Sequence, residues 1–312
     1  MVQFGIQIEP QFGFDYNTIR ELAFQCEASG FDSIWLSDHL FLDSNSQDRN
    51  CLDCWTTLAA LAAETTTIRL GPLVSCVSYR HPSIMAKIAA TVDVISNGRL
   101  EFGIGAGWKE LEYKAYGIPF PSARDRVSQF IEAIQVIQAM WTQDLPTFEG
   151  HYYQITNAFL APKPIQKPYP PLWVGGAGSR VLQTAARFAD GININGFQTP
   201  AQYRERLDIL ERHCKAVGRE FSSIKLSHFI PIVTAENATG LDRLVEIEAR
   251  RTGTTPTEYR EKTQAFVGTP EDCVNYIKAY TALGVSQFML LFPYRYEADS
   301  IRLLSEQVLP YV

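Results

Sequence analysis

What this 312-residue chain lacks narrows its class quickly. It has no window of about 18 apolar residues, and its opening MVQFGIQIEPQF has no basic stretch leading into an apolar one. Neither a membrane-spanning helix nor a secretory leader is therefore expected. It has no block of lysine and arginine either. With 28 basic against 34 acidic side chains the net charge is −6, so nucleic acid and anionic membranes are not expected partners. Histidine is scarce, and His81, His151, His213 and His228 stand far apart without metal-ligand spacing, so no metal is expected. No GxSxG elbow or Cys/His signature marks a hydrolase. The six cysteines (Cys26, Cys51, Cys54, Cys76, Cys214 and Cys273) are scattered, as reduced thiols of a cytoplasmic protein would be. Cys51-Leu-Asp-Cys54 has the spacing of a redox pair or half a zinc site. It lacks a second pair and opens a helix instead of following a strand, so two structural thiols are the favoured reading.

What is present is ordinary for a globular protein, 46% apolar and 20% charged. The length suits one α/β barrel, about 250 residues plus insertions. Eight β-rich runs recur: Phe4–Ile8, Ser33–Leu36, Ile68–Val74, Leu100–Ile104, Leu172–Val174, Gly191–Asn195, Lys225–Val233 and Gln287–Leu291. Helix-period segments separate them, at Tyr16–Ala28, Trp55–Glu64, Ile84–Ile95, Ala123–Trp141, Val181–Phe188, Ala201–Val217 and Pro270–Leu283. Asp15 and Gly30 bracket the first helix, while Thr269-Pro270 and Gly284 bracket the last of these. Alternation of this kind predicts a parallel sheet closed by right-handed crossovers, a (β/α)₈ TIM barrel. The expected organisation is one domain, 1–312, with insertions at about 145–171 and 235–268. The first is rich in Pro and aromatics and reads as a hairpin plus an extended arm; the second is polar and weakly periodic.

In such barrels chemistry sits just after the strands. The positions to weigh are Glu9, Asp38-His39, Ser75-Cys76, Gly105–Trp108, Gly175–Arg180, Asn195-Gly196 and Phe292-Pro293. Asp38-His39 can position a proton donor or acceptor, since imidazole titrates near neutrality and a carboxylate tunes it; a helix-capping Asp and a rim His are the plain alternative. Gly175-Gly-Ala-Gly-Ser179-Arg180 leads from a strand into a helix, and free N–H groups there favour phosphate. It lacks the acidic residue of a dinucleotide fingerprint, and a ligand-free turn is the alternative. Gly103, Gly105 and Gly107 either open a face for a flat ring or serve tight barrel packing. Trp35 and Trp108 are placed as walls of the pocket.

These segments resemble the bacterial luciferase-like superfamily and, within it, the group using the 8-hydroxy-5-deazaflavin coenzyme F420. The likeness runs from residue 3 to about 290. It is carried by GFDSIWLSDHLF (30–41), WTTLAALAAETTTIRLGPLVS (55–75), YRHPSIMAKIAATVDVISNGRLEFGIGAGWKELEYKAYGIPFP (79–121), LAPKPIQKPYPPLWVGG (160–176), FADG (188–191) and VGTPEDC (267–273). The resemblance implies hydride transfer between F420 and a small organic substrate, with Asp38 and His39 beside the reactive ring carbon. It implies a non-prolyl cis peptide at Leu73–Val74 behind the ring. It places further cofactor contacts at Ala106, Gly107 and Trp108, and a phosphate loop at Gly175, Gly176, Ala177, Gly178 and Ser179. It also implies a homodimer. Asp before His39 looks like the deazaflavin branch; FMN is the alternative cofactor, for a monooxygenase using O₂, and a non-catalytic cofactor-binding member is the third reading. Where some sugar-phosphate-oxidising relatives carry a Glu, this chain has Trp108. Glu112, expected on a helix, reads as a poor substitute for that Glu.

Overall fold

The computed structural model describes residues 2–194 and 199–312. Among them, eight parallel strands form the frame. They are β1 (Gln3–Ile8), β2 (Ser33–Leu36), β3 (Arg69–Pro72, resumed at Ser75–Cys76), β4 (Phe102–Gly105), β5 (Leu172–Gly175), β6 (Gly191–Ile194), β7 (Lys225–Thr234) and β8 (Val285–Leu291). β1 pairs with both β2 and β8, Ile6 lying between Ile34 and Leu290. From β8 the pairing runs through β7, β6 and β5 to β4. The ring closes at β3, whose first piece pairs with β2 and whose second pairs with β4, while Leu70 bridges to Leu100. The fold is the expected (β/α)₈ barrel.

Helices cover the outside, so the strands are buried on both faces and read as continuous apolar runs instead of alternating ones. The first seven are α1 (Tyr16–Ala28), α2 (Cys54–Glu64), α3 (Pro82–Ile95), α4 (Glu110–Ala115), α5 (Ala123–Thr142), α6 (Ser179–Phe188) and α7 (Pro200–Ala216). Most start on a side-chain cap: Asp15 accepts from the Thr18 N–H, Asp53 from Thr56, Ser122 from Asp125 and Thr199 from Gln202. Inside the barrel, Trp35, Trp173 and Met289 form a separate buried cluster, the two indoles meeting edge to face at 5.9 Å. Trp35 is thus part of the barrel's filling and does not wall the pocket. The period-2 alternation of β2 carries it inward beside Ser33, to which its Nε1–H donates.

The segment 145–171 forms the expected hairpin, Phe148–Glu149 against Gln154–Ile155, followed by an arm with cis bonds at Ala161–Pro162 and Lys167–Pro168. The segment 235–268 is more ordered than its sequence suggests. It holds α8 (Ala238–Thr252), α9 (Pro256–Lys262) and a short strand, Phe266–Gly268, added in parallel to β7. Leu241, Leu244, Val245 and Ala249 do make a helical stripe, packed on Val233 and Tyr259. Glu248 sits within that stripe, buried and paired with Arg251 at 2.6 Å, and this hides the period. The chain ends in α10 (Pro270–Thr281), started by the Thr269–Asp272 capping box, and α11 (Glu297–Gln307).

Glu297, at the start of α11, is buried, and burial pushes its carboxyl up to about 7. Folding must then strip charge from a group ionised in the unfolded chain, so stability falls as pH rises from 4.5 through 7. Glu297→Gln should therefore stabilise the protein at pH above 7 by roughly 2 kcal/mol. Thermal melts across pH check this: the gain in Tm should shrink as pH is lowered toward the ordinary carboxyl range.

Candidate active site

A cavity of about 510 Å³ opens at the C-terminal ends of the strands, within the usual range for small-molecule sites. Asp38, His39, Leu73, Val74, Ala106, Gly107, Trp108 and the loop Gly175–Gly178 all border it, together with Glu9, Ser75 and Cys76. Residues distant in sequence are thus brought to one place by the strand ends that carry them. Ser179 is outside, in an adjoining surface groove, its hydroxyl 3.3 Å from His213 Nε2. Phe292 and Pro293 line a separate, smaller cavity with Glu248 and Arg251. Asn195 and Gly196 fall outside the described residues.

The Asp38-His39 pair divides its work. Asp38 is buried, and its carboxylate accepts from Arg80 Nη1 at 2.7 and 3.0 Å, from Ser75 Oγ at 3.1 Å and from the Cys76 N–H at 3.0 Å. Burial raises its pKa, and the Arg80 guanidinium and the Cys76 N–H work against that. Arg80 also reaches Asp53, the cap of α2, at 2.6 Å. The carboxylate therefore ties the end of β2 to β3 and α2, with its oxygens engaged by protein donors.

His39 makes a different set of contacts. Its Nδ1 lies 3.1 Å from both oxygens of Glu112, and no hydrogen bond to Nε2 is formed among the described residues. The ring is about one-fifth exposed at the cavity wall, with the Trp108 indole edge-on at 5.8 Å. A carboxylate at Nδ1 holds the proton on that nitrogen and leaves the Nε2 lone pair for the cavity. Tautomer follows from this partner.

Glu112 is the residue the sequence reading undervalued. Its side chain is wholly buried, yet it accepts from His39, from the Leu40 and Phe41 N–H groups at 2.9 and 3.3 Å, from Lys109 Nζ at 3.2 Å and from Tyr79 OH at 2.6 Å. Burial alone would raise its pKa; the His39 ring, the Tyr79 hydroxyl and the Leu40 N–H outweigh it and hold the carboxyl down at about 2. This pairing stabilises the fold fully above the ordinary carboxyl value of 4.5 and is lost as pH falls toward 2. The usual signal pointed the wrong way. On α4 the apolar Leu111 and the neighbouring Tyr116 are exposed, while Glu112 and Tyr113 face inward. Only the i,i+3 pair Lys109–Glu112 hinted that the carboxylate had a local cation.

The alternating glycines also resolve. A Cβ at Gly103 would meet the Pro72 carbonyl oxygen at 2.1 Å and Val74 Cγ1 at 3.2 Å, and one at Gly105 would meet Val74 Cγ2 at 2.6 Å. A Cβ at Gly107 would strike Tyr113 OH. These glycines admit the broken strand β3 and the Val74 side chain; the tight-packing alternative holds, and the face they clear is filled by protein. The break coincides with a cis Leu73–Val74 peptide, as anticipated, and puts Val74 at the cavity wall.

Also bordering the cavity, Gly178 starts α6 without a side-chain cap, whereas most of its neighbours carry one. The first N–H groups of this ten-residue helix are therefore unmatched, the arrangement that favours an anion. Gly178 has φ −71°, open to any residue, and a Cβ there would meet nothing within 4 Å. The CxxC pair is structural in its contacts. Cys54 is buried in the first turn of α2, its Sγ 3.6 Å from the Leu36 carbonyl, and Cys51 Sγ lies 3.3 Å from that of His39. Among the described residues no group of His, Cys, Asp or Glu has metal-binding geometry, and no helix is long and apolar enough to cross a membrane.

The family of luciferase-like monooxygenases has a sequence model that matches residues 2–287. The chain belongs to this family. Among luciferase-like relatives, the F420-dependent glucose-6-phosphate dehydrogenase of Microbacterium testaceum (strain StLB037) is 28% identical, over 95% of this chain and 94% of that protein. The coenzyme F420-dependent tetrahydromethanopterin reductase of Methanopyrus kandleri superposes with a TM-score of 0.80 at 22% identity, covering 99% of both chains. The monooxygenase RslO1 of Streptomyces bottropensis superposes at 0.82 and 22%, also over 99% of both. At such identities the two structures share the luciferase-like barrel.

Proposed function

We propose that this luciferase-like protein is an F420-dependent oxidoreductase, with the cofactor in the 510 Å³ cavity and a small organic substrate presented to His39. The observation that carries the reading is that one cavity is lined both by His39, with Nδ1 held by Glu112, and by the uncapped start of α6. The name of the Microbacterium relative, aligned over nearly the whole chain, supports the same cofactor. The residues present fit it. Val74, projecting from the break in β3, would back the ring. The Gly175–Gly178 backbone and the first N–H groups of α6 would hold the phosphate. When bound, the deazaflavin accepts or donates a hydride and reacts poorly with oxygen.

The chain's own part is the proton. In the oxidising direction Nε2 of His39 takes the hydroxyl proton of an alcohol as the hydride leaves its carbon; in the reducing direction the imidazolium returns it. Glu112 keeps the ring oriented and supports the imidazolium. Asp38, through Arg80, fixes the backbone from which His39 projects. Trp108 stands at the mouth beside the ring and has no titratable group, so His39 carries proton transfer to the substrate.

An anaerobic assay with F420 and a panel of alcohols and carbonyl compounds, followed by the deazaflavin absorbance, tests the reaction. Turnover without oxygen is the expected result. Oxygen consumption with reduced FMN, and no reaction of F420 with any member of the panel, would sink it. The reading extends to a cytoplasmic homodimer, which light scattering on the purified protein tests by mass.

A further inference from the structure

On the His39 side the cavity wall passes into an exposed apolar surface. Trp108 lines the cavity, meets the His39 ring edge-on at 5.8 Å and is 71% exposed. The other four tryptophans, Trp35, Trp55, Trp141 and Trp173, are buried. Leu111 on α4 and Tyr116 at its end are exposed as well. The Tyr116 ring stacks on Phe41 at 6.2 Å, and Lys109, next to Trp108, carries its ammonium over the same Phe41 ring at 5.4 Å. The loop after His39 and the short helix α4 therefore present one surface. One exposed apolar side chain is ordinary, but three on and beside a six-residue helix, next to a catalytic histidine, mark a place where something apolar binds.

Free positive charge is missing from the same place. Among the described residues lining the cavity, Lys109 is the one lysine or arginine, and its Nζ is spent. It donates to the Phe41 and Leu42 carbonyls at 2.5 and 2.7 Å and to Glu112 at 3.2 Å. Arg80 is held by Asp38 and Asp53. Glu9, Asp38 and Glu112 add carboxylates to the wall. An anionic substrate at His39 would be desolvated against these groups without a cation to match it.

We infer that the substrate is an uncharged alcohol or carbonyl compound bearing an alkyl chain or an aromatic ring. Its reacting carbon faces His39, and its apolar part lies on Trp108 and Leu111. The inference rests on the F420 reading and names the substrate class for it. In the oxidising direction the alcohol gives a hydride to the deazaflavin and its hydroxyl proton to His39 Nε2, which leaves the carbonyl. Trp108 is then the residue that sets specificity, since its indole offers a large apolar face at the edge of the reacting centre.

The test is an anaerobic assay with F420 and isopropanol, 2-butanol, 2-hexanol and 2-octanol, with glucose 6-phosphate as the anionic comparison. In wild type, kcat/KM should rise about two- to fourfold with each added methylene and stay low for the sugar phosphate. Trp108→Ala should cut the ratio of 2-octanol to isopropanol activity at least about tenfold, acting mainly through KM. Trp108→Phe should recover most of that ratio, and Leu111→Ser should lower it severalfold. A second readout needs no turnover: 2-octanone should shield Trp108, the exposed one of five tryptophans, from quenching by acrylamide. Equal rates along the series, a preference for glucose 6-phosphate or an unshielded Trp108 would each overturn the inference. So would variants that keep the chain-length dependence and instead change the mass by light scattering, the mark of a second copy on this face. If no compound turns over with F420 while 2-octanone still shields Trp108, the F420 reading falls and the apolar site stands.

Discussion

His39→Ala should bind F420 with near-wild-type affinity and lose turnover by about 10²–10⁴-fold, the range for removing a positioned general base. The size of the effect follows from the lack of a substitute. Glu112 is wholly buried and engaged by five donors, and its low pKa leaves it unable to accept a proton in the working range. Asp38 is buried against Arg80. Glu9 borders the cavity, but its oxygens accept from the amides of Gln7 and Gln11. A small drop in kcat would mean that the proton goes elsewhere. If cofactor affinity fell in parallel, His39 would be a ring contact and no base. The same variant separates an enzyme from a non-catalytic carrier, which has no turnover to lose.

Glu112→Gln should lower kcat by about 10²-fold while leaving KM and cofactor affinity close to wild type. Its amide oxygen can replace the carboxylate oxygen that accepts from Leu40, Phe41 and Lys109. The NH₂ then faces Tyr79 and His39. Nδ1 lies 3.1 Å from both positions, so the NH₂ competes with the amide oxygen for it and disfavours the Nδ1–H tautomer, while the charge that supports the imidazolium is gone. The base is then weaker and less firmly held in the reactive tautomer, with its geometry intact. Glu112→Ala differs in kind, because it leaves His39, Tyr79 and the Leu40 and Phe41 N–H groups without their acceptor, while Lys109 keeps the Phe41 and Leu42 carbonyls; the loss in stability should be about 2–5 kcal/mol. Circular dichroism and thermal melts alongside steady-state kinetics tell the two apart. A Gln variant with normal kcat would contradict the tautomer argument.

The barrel was legible because its strands are buried on both faces and its helices are amphipathic and capped; the Asp15, Thr269 and Pro270 signals all land at helix starts. The cavity-lining residues were legible because barrel strands end at the site and because motif runs such as WLSDHL and VGGAG mark those ends. Glu112 was not, since four of its five donors come from two distant segments, residues 39–41 and Tyr79, and within WKELEY only Lys109 stands near it. Trp35 shows the opposite: a large aromatic three residues before Asp38 reads as a wall, but strand alternation turns it into the barrel. The helix Ala238–Thr252 is obscured because Glu248 interrupts its apolar stripe, although its partner Arg251 stands only three residues on. At Glu112 and Glu248 the sequence signal failed because a buried charge is compensated by partners.

The central claim is that this cavity takes the deazaflavin F420. Titration of the purified protein with F420 and with FMN, read by fluorescence quenching under one buffer, tests it most directly. The account predicts saturable F420 binding with FMN at least about tenfold weaker. Tight FMN binding with no affinity for F420 would contradict it.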